Sequence, residues 1–150
     1  MNLYTIGFTK KTAEQFFETL KKHAITLLVD VRLNNSSQLA GFTKSDCLPY
    51  FLKEICDASY LHIPEFAPTK EILDDYKMKK ITWEEYELKY FSLMQNRENG
   101  NGICRNFAEA HQLHENIVLL CSELTAEKCH RRLAAELICK SNKDIKLIHL

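Results

Sequence analysis

The chain has 150 residues, 45% of them hydrophobic and 27% charged, the composition of an ordinary globular protein with one core. Twenty Lys and Arg residues balance twenty Asp and Glu residues, so the net charge is zero. That disfavours binding to nucleic acid through a broad positive field, although a local basic site stays open. No run approaches the roughly 18 apolar residues of a membrane helix. The opening Met1–Gly7 lacks the basic start and long apolar stretch of a signal peptide. We therefore expect a cytoplasmic protein with no membrane partner, its cysteines Cys47, Cys56, Cys104, Cys121, Cys129 and Cys139 kept as thiols.

In chain order, the first strand begins almost at once and ends at Gly7. Thr12 to His23 reads as a helix, with Ala13, Phe16, Phe17, Leu20 and Ala24 on one stripe. Thr26 to Arg32 is a buried strand, Asp46 to Asp57 a helix, and Ser59 to Ile63 a strand closed by Pro64. Thr69 caps a helix that runs to Lys77. Thr82 to Gln95 is amphipathic, with Trp83, Tyr86, Tyr90 and Met94 facing a core. Asn96 to Gly102 reads as a loop and Phe107 to Leu113 as a short helix. A strand over Asn116–Cys121, a helix over Ala126–Lys140 and a strand over Ile145–Leu150 complete the chain. Apolar strands separated by helices predict a single α/β domain over residues 1–150: a three-layer sandwich whose mostly parallel sheet has about five strands, with helices on both faces.

Ligands of such sheets bind beyond the carboxyl ends of the strands, and there the apolar strands carry polar exceptions. The first strand ends at Gly7, followed by Phe8 and Thr9; the second ends in Asp30-Val31-Arg32; the third ends near His62, with Glu65 beyond; the fourth ends in Cys121-Ser122-Glu123. Alternation points Asp30 and Arg32 to one side of their strand and Val31 to the other. A carboxylate inside Leu27–Val31 is costly unless partnered. It either pairs with Arg32 or ties a neighbouring loop, or the two together face a polar ligand.

After the fourth strand, Thr125 is a good helix N-cap. Leu124 and Cys129 have the spacing of a hydrophobic staple, which would turn Cys129 toward the core. His130 then lies at the edge of the buried stripe, with Asp30 or Glu123 as candidate partners. Arg131 lies on the far side unless its stem reaches over the helix end. Cys121 at a strand-to-helix loop suggests a thiolate nucleophile. The phosphate-cradling Cys-x5-Arg pattern is broken, however, because Glu127 stands where the arginine is needed. Cys121, Cys129 and His130 could serve as soft metal ligands, but Cys-x7-Cys-His lacks the paired spacing of structural zinc sites. A fourth ligand such as His62 or Glu65 would have to come from another strand. No metal site is therefore assigned; the cofactor stays open, with zinc disfavoured. His111 and His114, three apart on a helix, have no matching carboxylate motif, and Lys77-Met78-Lys79-Lys80 reads as a solvated face.

Taken together, Tyr4-Thr5-Ile6-Gly7-Phe8-Thr9, Val29-Asp30-Val31-Arg32, Ser36 to Phe42, and above all Leu119-Leu120-Cys121-Ser122-Glu123 followed by Cys129-His130-Arg131 resemble the family known as domain of unknown function 488. The resemblance spans nearly the whole chain. It implies a small prokaryotic α/β protein whose activity is unassigned, with marked positions at Gly7, Asp30, Arg32, Ser36, Cys121, Glu123, Cys129, His130 and Arg131. Members often carry a basic residue beside the serine after the Asp-Val-Arg strand. Here that stretch is Asn34-Asn35-Ser36-Ser37-Gln38.

The residues support a site at the strand ends, the centre of an enzyme, a hydrolase or a transferase, acting on a small polar or anionic ligand: a nucleotide, nucleobase or sugar phosphate. Asp30, Glu123 and His130 are its candidate acid–base groups. Gly7, Thr9, Arg32, Ser36, Cys121 and Arg131 are its candidate ligand-binding residues. A non-catalytic ligand- or nucleic-acid-binding regulatory module is one alternative, with nucleic acid not favoured. A thiol redox or sulfur-transfer protein using Cys121 and Cys129 is the other. All readings require Asp30, Arg32, Glu123 and His130 to share one water-reachable hollow. The oligomeric state is not set by the sequence.

Overall fold

A computed structural model describes the backbone of every residue except Ser37, and every side chain except those of Ser37, Gln38 and Leu39. Five strands, β1 (Asn2–Gly7), β2 (Leu27–Asp30), β3 (Ser59–His62), β4 (Asn116–Cys121) and β5 (Lys146–His149), form one sheet in the order β3-β2-β4-β1-β5. Every pairing is parallel, which requires crossovers and buries both faces. The helices are α1 (Ala13–Lys22), α2 (Leu48–Phe51, continued by a π-helical turn over Leu52–Cys56), α3 (Lys70–Lys77), α4 (Trp83–Asn101), α5 (Ile103–Ala110) and α6 (His130–Ser141). No helix among the described residues is long and apolar enough to cross a membrane.

Strand alternation divides the core in two. Leu3, Leu27, Val29, Val31, Ile117, Leu119 and Cys121 face α4, α5 and α6, packing with Tyr86, Tyr90, Met94, Phe107 and Leu133. Tyr4, Ile6, Leu28, Val118 and Leu120 face α1 and α2, against Phe16, Phe17, Leu20, Leu48 and Leu52. The α4 stripe behaves as its spacing predicts: Tyr86, Tyr90 and Met94 are buried, and Tyr90 donates a 2.7 Å hydrogen bond to the Phe66 carbonyl. Tyr90→Phe should leave that carbonyl unpartnered, at about 1–3 kcal/mol. The check is a lower urea midpoint at unchanged slope.

The largest differences from the sequence reading are three, each with a local reason; elsewhere element ends move by one to three residues. Asn96 to Gly102 is not a loop. Helix α4 runs on through Gly100 and stops at Gly102, whose φ of 60° is left-handed and whose amide closes on the Glu98 carbonyl, so one glycine makes the turn. Helix α5 accordingly starts at Ile103 rather than Phe107. Helix α6 starts at His130, not Ala126: Thr125 does not cap it, and Cys129 is its N-cap, without a side-chain cap bond. The segment Ser122–Lys128 instead wraps the guanidinium of Arg131, which donates to the carbonyls of Glu123 and Leu124. Thr69 caps α3 as expected, accepting from the Ile72 amide.

Candidate functional site

The pleat decides what can meet at the carboxyl edge. Asp30 follows Val29 and points to the α1–α2 face. Cys121 follows Leu120 and points to the α4–α6 face. The predicted polar residues consequently form two clusters on opposite sides of the sheet, rather than one.

On the α1–α2 side, Asp30 and Arg32 make a closed ion pair. Arg32 Nε donates to Asp30 Oδ1 at 2.8 Å and Nη2 to Oδ2 at 2.6 Å. The Arg32 amide adds a third bond to Oδ1 at 3.1 Å, and the Tyr60 hydroxyl donates to Oδ2 at 2.8 Å. The guanidinium also donates to the Thr43 carbonyl, 2.6 Å, and hydroxyl, 3.4 Å, and its central carbon lies over the Phe8 ring, 5.3 Å from the centroid. Asp30 is 0% and Arg32 4% exposed. Burial, reinforced by the Asp30 carboxylate, pushes the Tyr60 phenol well above its ordinary range. Every polar atom of the Asp30 carboxylate is thus engaged within the protein. Ser36 is exposed and, among the described residues, bonds locally, to Asn34.

On the α4–α6 side, β4 delivers Cys121 and the start of α6 delivers Cys129 and His130, all buried. Their donor atoms lie within 4.8 Å of one another. His130 Nε2 is 2.9 Å from the Val31 carbonyl. A carbonyl only accepts, so Nε2 carries a proton, and in the neutral ring it is Nδ1 that keeps the lone pair. Cys121 Sγ lies 3.9 Å from Nδ1 and 3.8 Å from Nε2. A hydrogen bond from Cys129 holds the Cys121 thiol below its ordinary range against the opposing effect of burial, with the Ser122 amide and the Arg131 charge assisting. Cys129, as the donor and in a buried position, is pushed well above its own.

Arg131 lies beneath this cluster and is 0% exposed. Its Nη1 donates to the Glu123 carbonyl at 2.5 Å and reaches Cys129 Sγ at 3.5 Å, while its Nε has no partner among the described residues. Among the described residues no carboxylate forms an ion pair with it. Its charge also helps to lower the Lys11 ammonium, behind the larger effect of partial burial. Gly7 pairs with Cys121 in the sheet, and Thr9 ties down the next residue, its amide and hydroxyl bonding the Ser122 carbonyl at 3.1 and 2.6 Å. The Glu123 side chain is exposed.

The structure therefore brings Cys121, His130 and Arg131 together, with Gly7 and Thr9 holding the loop. It does not bring Asp30, Arg32, Glu123 or Ser36 to them. Sequence reasoning missed Tyr60 and Thr43, which close the Asp30 network, and carried Cys129 only in the metal and thiol-redox alternatives, because the staple spacing turned it toward the core. The Cys-x7-Cys-His spacing was the available signal for Cys129. His62 donates to the Arg32 carbonyl at 2.9 Å and is not part of the thiol cluster.

Fold and geometry together define an α/β protein with a buried Cys–Cys–His cluster at the carboxyl edge of a parallel sheet. The chain belongs to the family described as domain of unknown function DUF488, whose model matches residues 12–138. That span contains both clusters and leaves out Gly7 and Thr9. No curated protein and no solved structure matches the chain.

Proposed function

We propose that the chain is a dithiol redox protein that exchanges disulfides through Cys121 and Cys129. The observation that carries this reading is the meeting of two thiols and an imidazole within 4.8 Å, over a buried guanidinium that has no carboxylate partner among the described residues. A buried charge needs a counter-charge, and Cys121, whose thiol is held low by the Cys129 hydrogen bond with the Arg131 charge assisting, is the group placed to supply one. A cytosolic setting, which keeps thiols reduced, suits this chemistry.

In the forward direction the Cys121 sulfur attacks one sulfur of a small disulfide. His130 Nδ1 takes up the thiol proton and passes it to the departing half, which leaves as a free thiol. Cys129 then attacks Cys121 in the mixed disulfide. The Cys121–Cys129 bond forms, and the second half leaves with the Cys129 proton. Two electrons pass from the cysteine pair to the substrate, and the reverse sequence oxidises a dithiol. The sulfurs must close to about 2.05 Å for the bridge. Only Ser122–Lys128, most of it exposed, separates them along the chain.

A small-ligand enzyme with Asp30 and Glu123 as acid and base has less support, because Asp30 is fully engaged with Arg32 and Tyr60 while Glu123 points away. His130 keeps its role as a proton partner, with a thiol rather than a carboxylate. The test is oxidation of the reduced protein by glutathione disulfide, followed by peptide mapping. A Cys121–Cys129 bridge should be the first internal disulfide, and Cys129→Ser should stop at a Cys121–glutathione adduct. If Cys121 is alkylated no faster than the half-buried Cys47, and no bridge forms, the reading is lost.

A further inference from the structure

The reduced cluster has a second capacity. We propose that Cys121, Cys129 and His130 Nδ1 form a binding site for a soft monovalent metal ion, copper(I). This rests on the dithiol reading only in requiring both sulfurs reduced and reachable.

The donors are already arranged as ligands. The Val31 carbonyl holds the Nε2 proton, leaving the Nδ1 lone pair for a metal, with Cys121 Sγ 3.9 Å from Nδ1 and 3.8 Å from Nε2. A second ring nitrogen anchored on a backbone carbonyl is the usual means of orienting a metal-binding histidine. With metal–sulfur bonds of about 2.3 Å and metal–nitrogen bonds of about 2.0 Å, the two ligand atoms stand roughly 3.6–3.8 Å apart. The Sγ–Nδ1 separation here is 3.9 Å. The spacing of that pair therefore suits a bridging ion once the Cys121 side chain turns onto the Nδ1 side of the ring, since Sγ stands as near Nε2.

Ligand number and charge choose the ion. Two thiolates and an imidazole are soft donors that favour copper(I) or zinc. Zinc in structural sites takes four protein ligands, and with two thiolates and one imidazole it completes its shell with water; among the described residues the cluster offers three donors, all buried, which leaves little access for that water. Glu65 is exposed and His62 is committed to the Arg32 carbonyl. Charge discriminates further. Two thiolates around a divalent ion sum to zero and leave the buried Arg131 uncompensated. Around a monovalent ion they sum to one negative charge, which Arg131 neutralises from 3.5 Å. Uncompensated buried charge is costly, so the surroundings favour the monovalent ion. Binding forms two copper–sulfur bonds and one copper–nitrogen bond. The thiol protons go to solvent, and no oxidation state changes.

The test titrates anaerobic, fully reduced protein with copper(I) in competition with bicinchoninate, and in parallel with zinc. One equivalent of copper should be withdrawn from the chelator, with a thiolate-to-copper band in the ultraviolet, and zinc should be held more weakly. Maleimide mapping should show Cys121 and Cys129 shielded by copper, while Cys47 and Cys56 stay open. Cys129→Ser and His130→Asn should each weaken binding by at least the roughly 10–100-fold seen on losing an outer-shell partner, and Cys139→Ser should leave it unchanged. The mapping needs no variant, so it stands even if one fails to fold. Shielding elsewhere, tighter zinc, or no withdrawal of copper would overturn the proposal. A glutathione-induced bridge without copper binding sinks this proposal and spares the redox reading; copper binding without a bridge does the reverse.

Discussion

Asp30→Ala should lower the melting temperature by roughly 6–20 °C, given about 2–4 °C per kcal/mol for a chain of this size. The substitution removes one half of a buried ion pair. Arg32 is 4% exposed; without its partner, its guanidinium keeps only the Thr43 acceptors and the Phe8 ring. Breaking a buried pair from one side costs about 3–5 kcal/mol, mostly the penalty on the orphaned charge. Tyr60 loses its acceptor as well, although Asn35 still donates to it at 3.0 Å. Removing both charges with Asp30→Val and Arg32→Met should therefore recover much of the loss, because a well-packed apolar pair can replace a buried ion pair at little net cost. Chemical denaturation of the two single variants and the double variant measures the coupling. Additive single effects, or a loss below about 1 kcal/mol for Asp30→Ala, would mean that the guanidinium escapes to water and that the network is not what holds β2 to β3. Because this network lies across the sheet from the thiols, the double variant should keep its Cys121 reactivity.

The sequence made the layers legible and the site only in part. Short apolar runs such as Asn116-Ile117-Val118-Leu119-Leu120-Cys121 have no polar face, so they could only be central strands, and the parallel sheet followed. The Asp30–Arg32 pairing was readable from period-two alternation. The same alternation, applied across strands, would have put Cys121 opposite Asp30, but that requires the relative register of β2 and β4. Only the folded pairing of Val29 with Leu119 supplies it. The start of α6 was misread because Thr125 and Leu124 satisfy every local rule for a cap and a staple. A tertiary requirement outweighed them: a fully buried Arg131 needs acceptors, and the carbonyls of Glu123 and Leu124 provide them only if the segment stays unwound. The shift also brings Cys129 and His130 to the end of β4, where they meet Cys121.

Gly7→Ala, finally, should be among the most damaging single-methyl changes in the chain. Gly7 ends β1 opposite Cys121, and its backbone is not left-handed, so what the position requires is space. A Cβ there would stand 1.6 Å from the Glu123 carbonyl oxygen, 2.7 Å from its carbon and 2.9 Å from Arg131 Nη1. The first two atoms are backbone and cannot swing aside. Either β1 shifts out of register with β4, or Ser122–Glu123 lifts off, taking with it the acceptor of Arg131 and the Thr9 clamp on Ser122. Ordinary overpacking costs about 1–3 kcal/mol. A backbone clash that also strips a buried guanidinium of an acceptor should exceed that, at about 4 kcal/mol or more. Gly100 is an internal control: it lies within α4 with nothing within 4 Å of an added Cβ, so Gly100→Ala should stabilise by about 0.5–1 kcal/mol. Thermal melts of both variants, with maleimide labelling of Cys121 and Cys129, separate the outcomes. If the loop lifts, labelling of both thiols rises well below the melting point. If Gly7→Ala melts with the unsubstituted protein and labels no faster, the close approach of Glu123 to β1 does not hold the cluster shut.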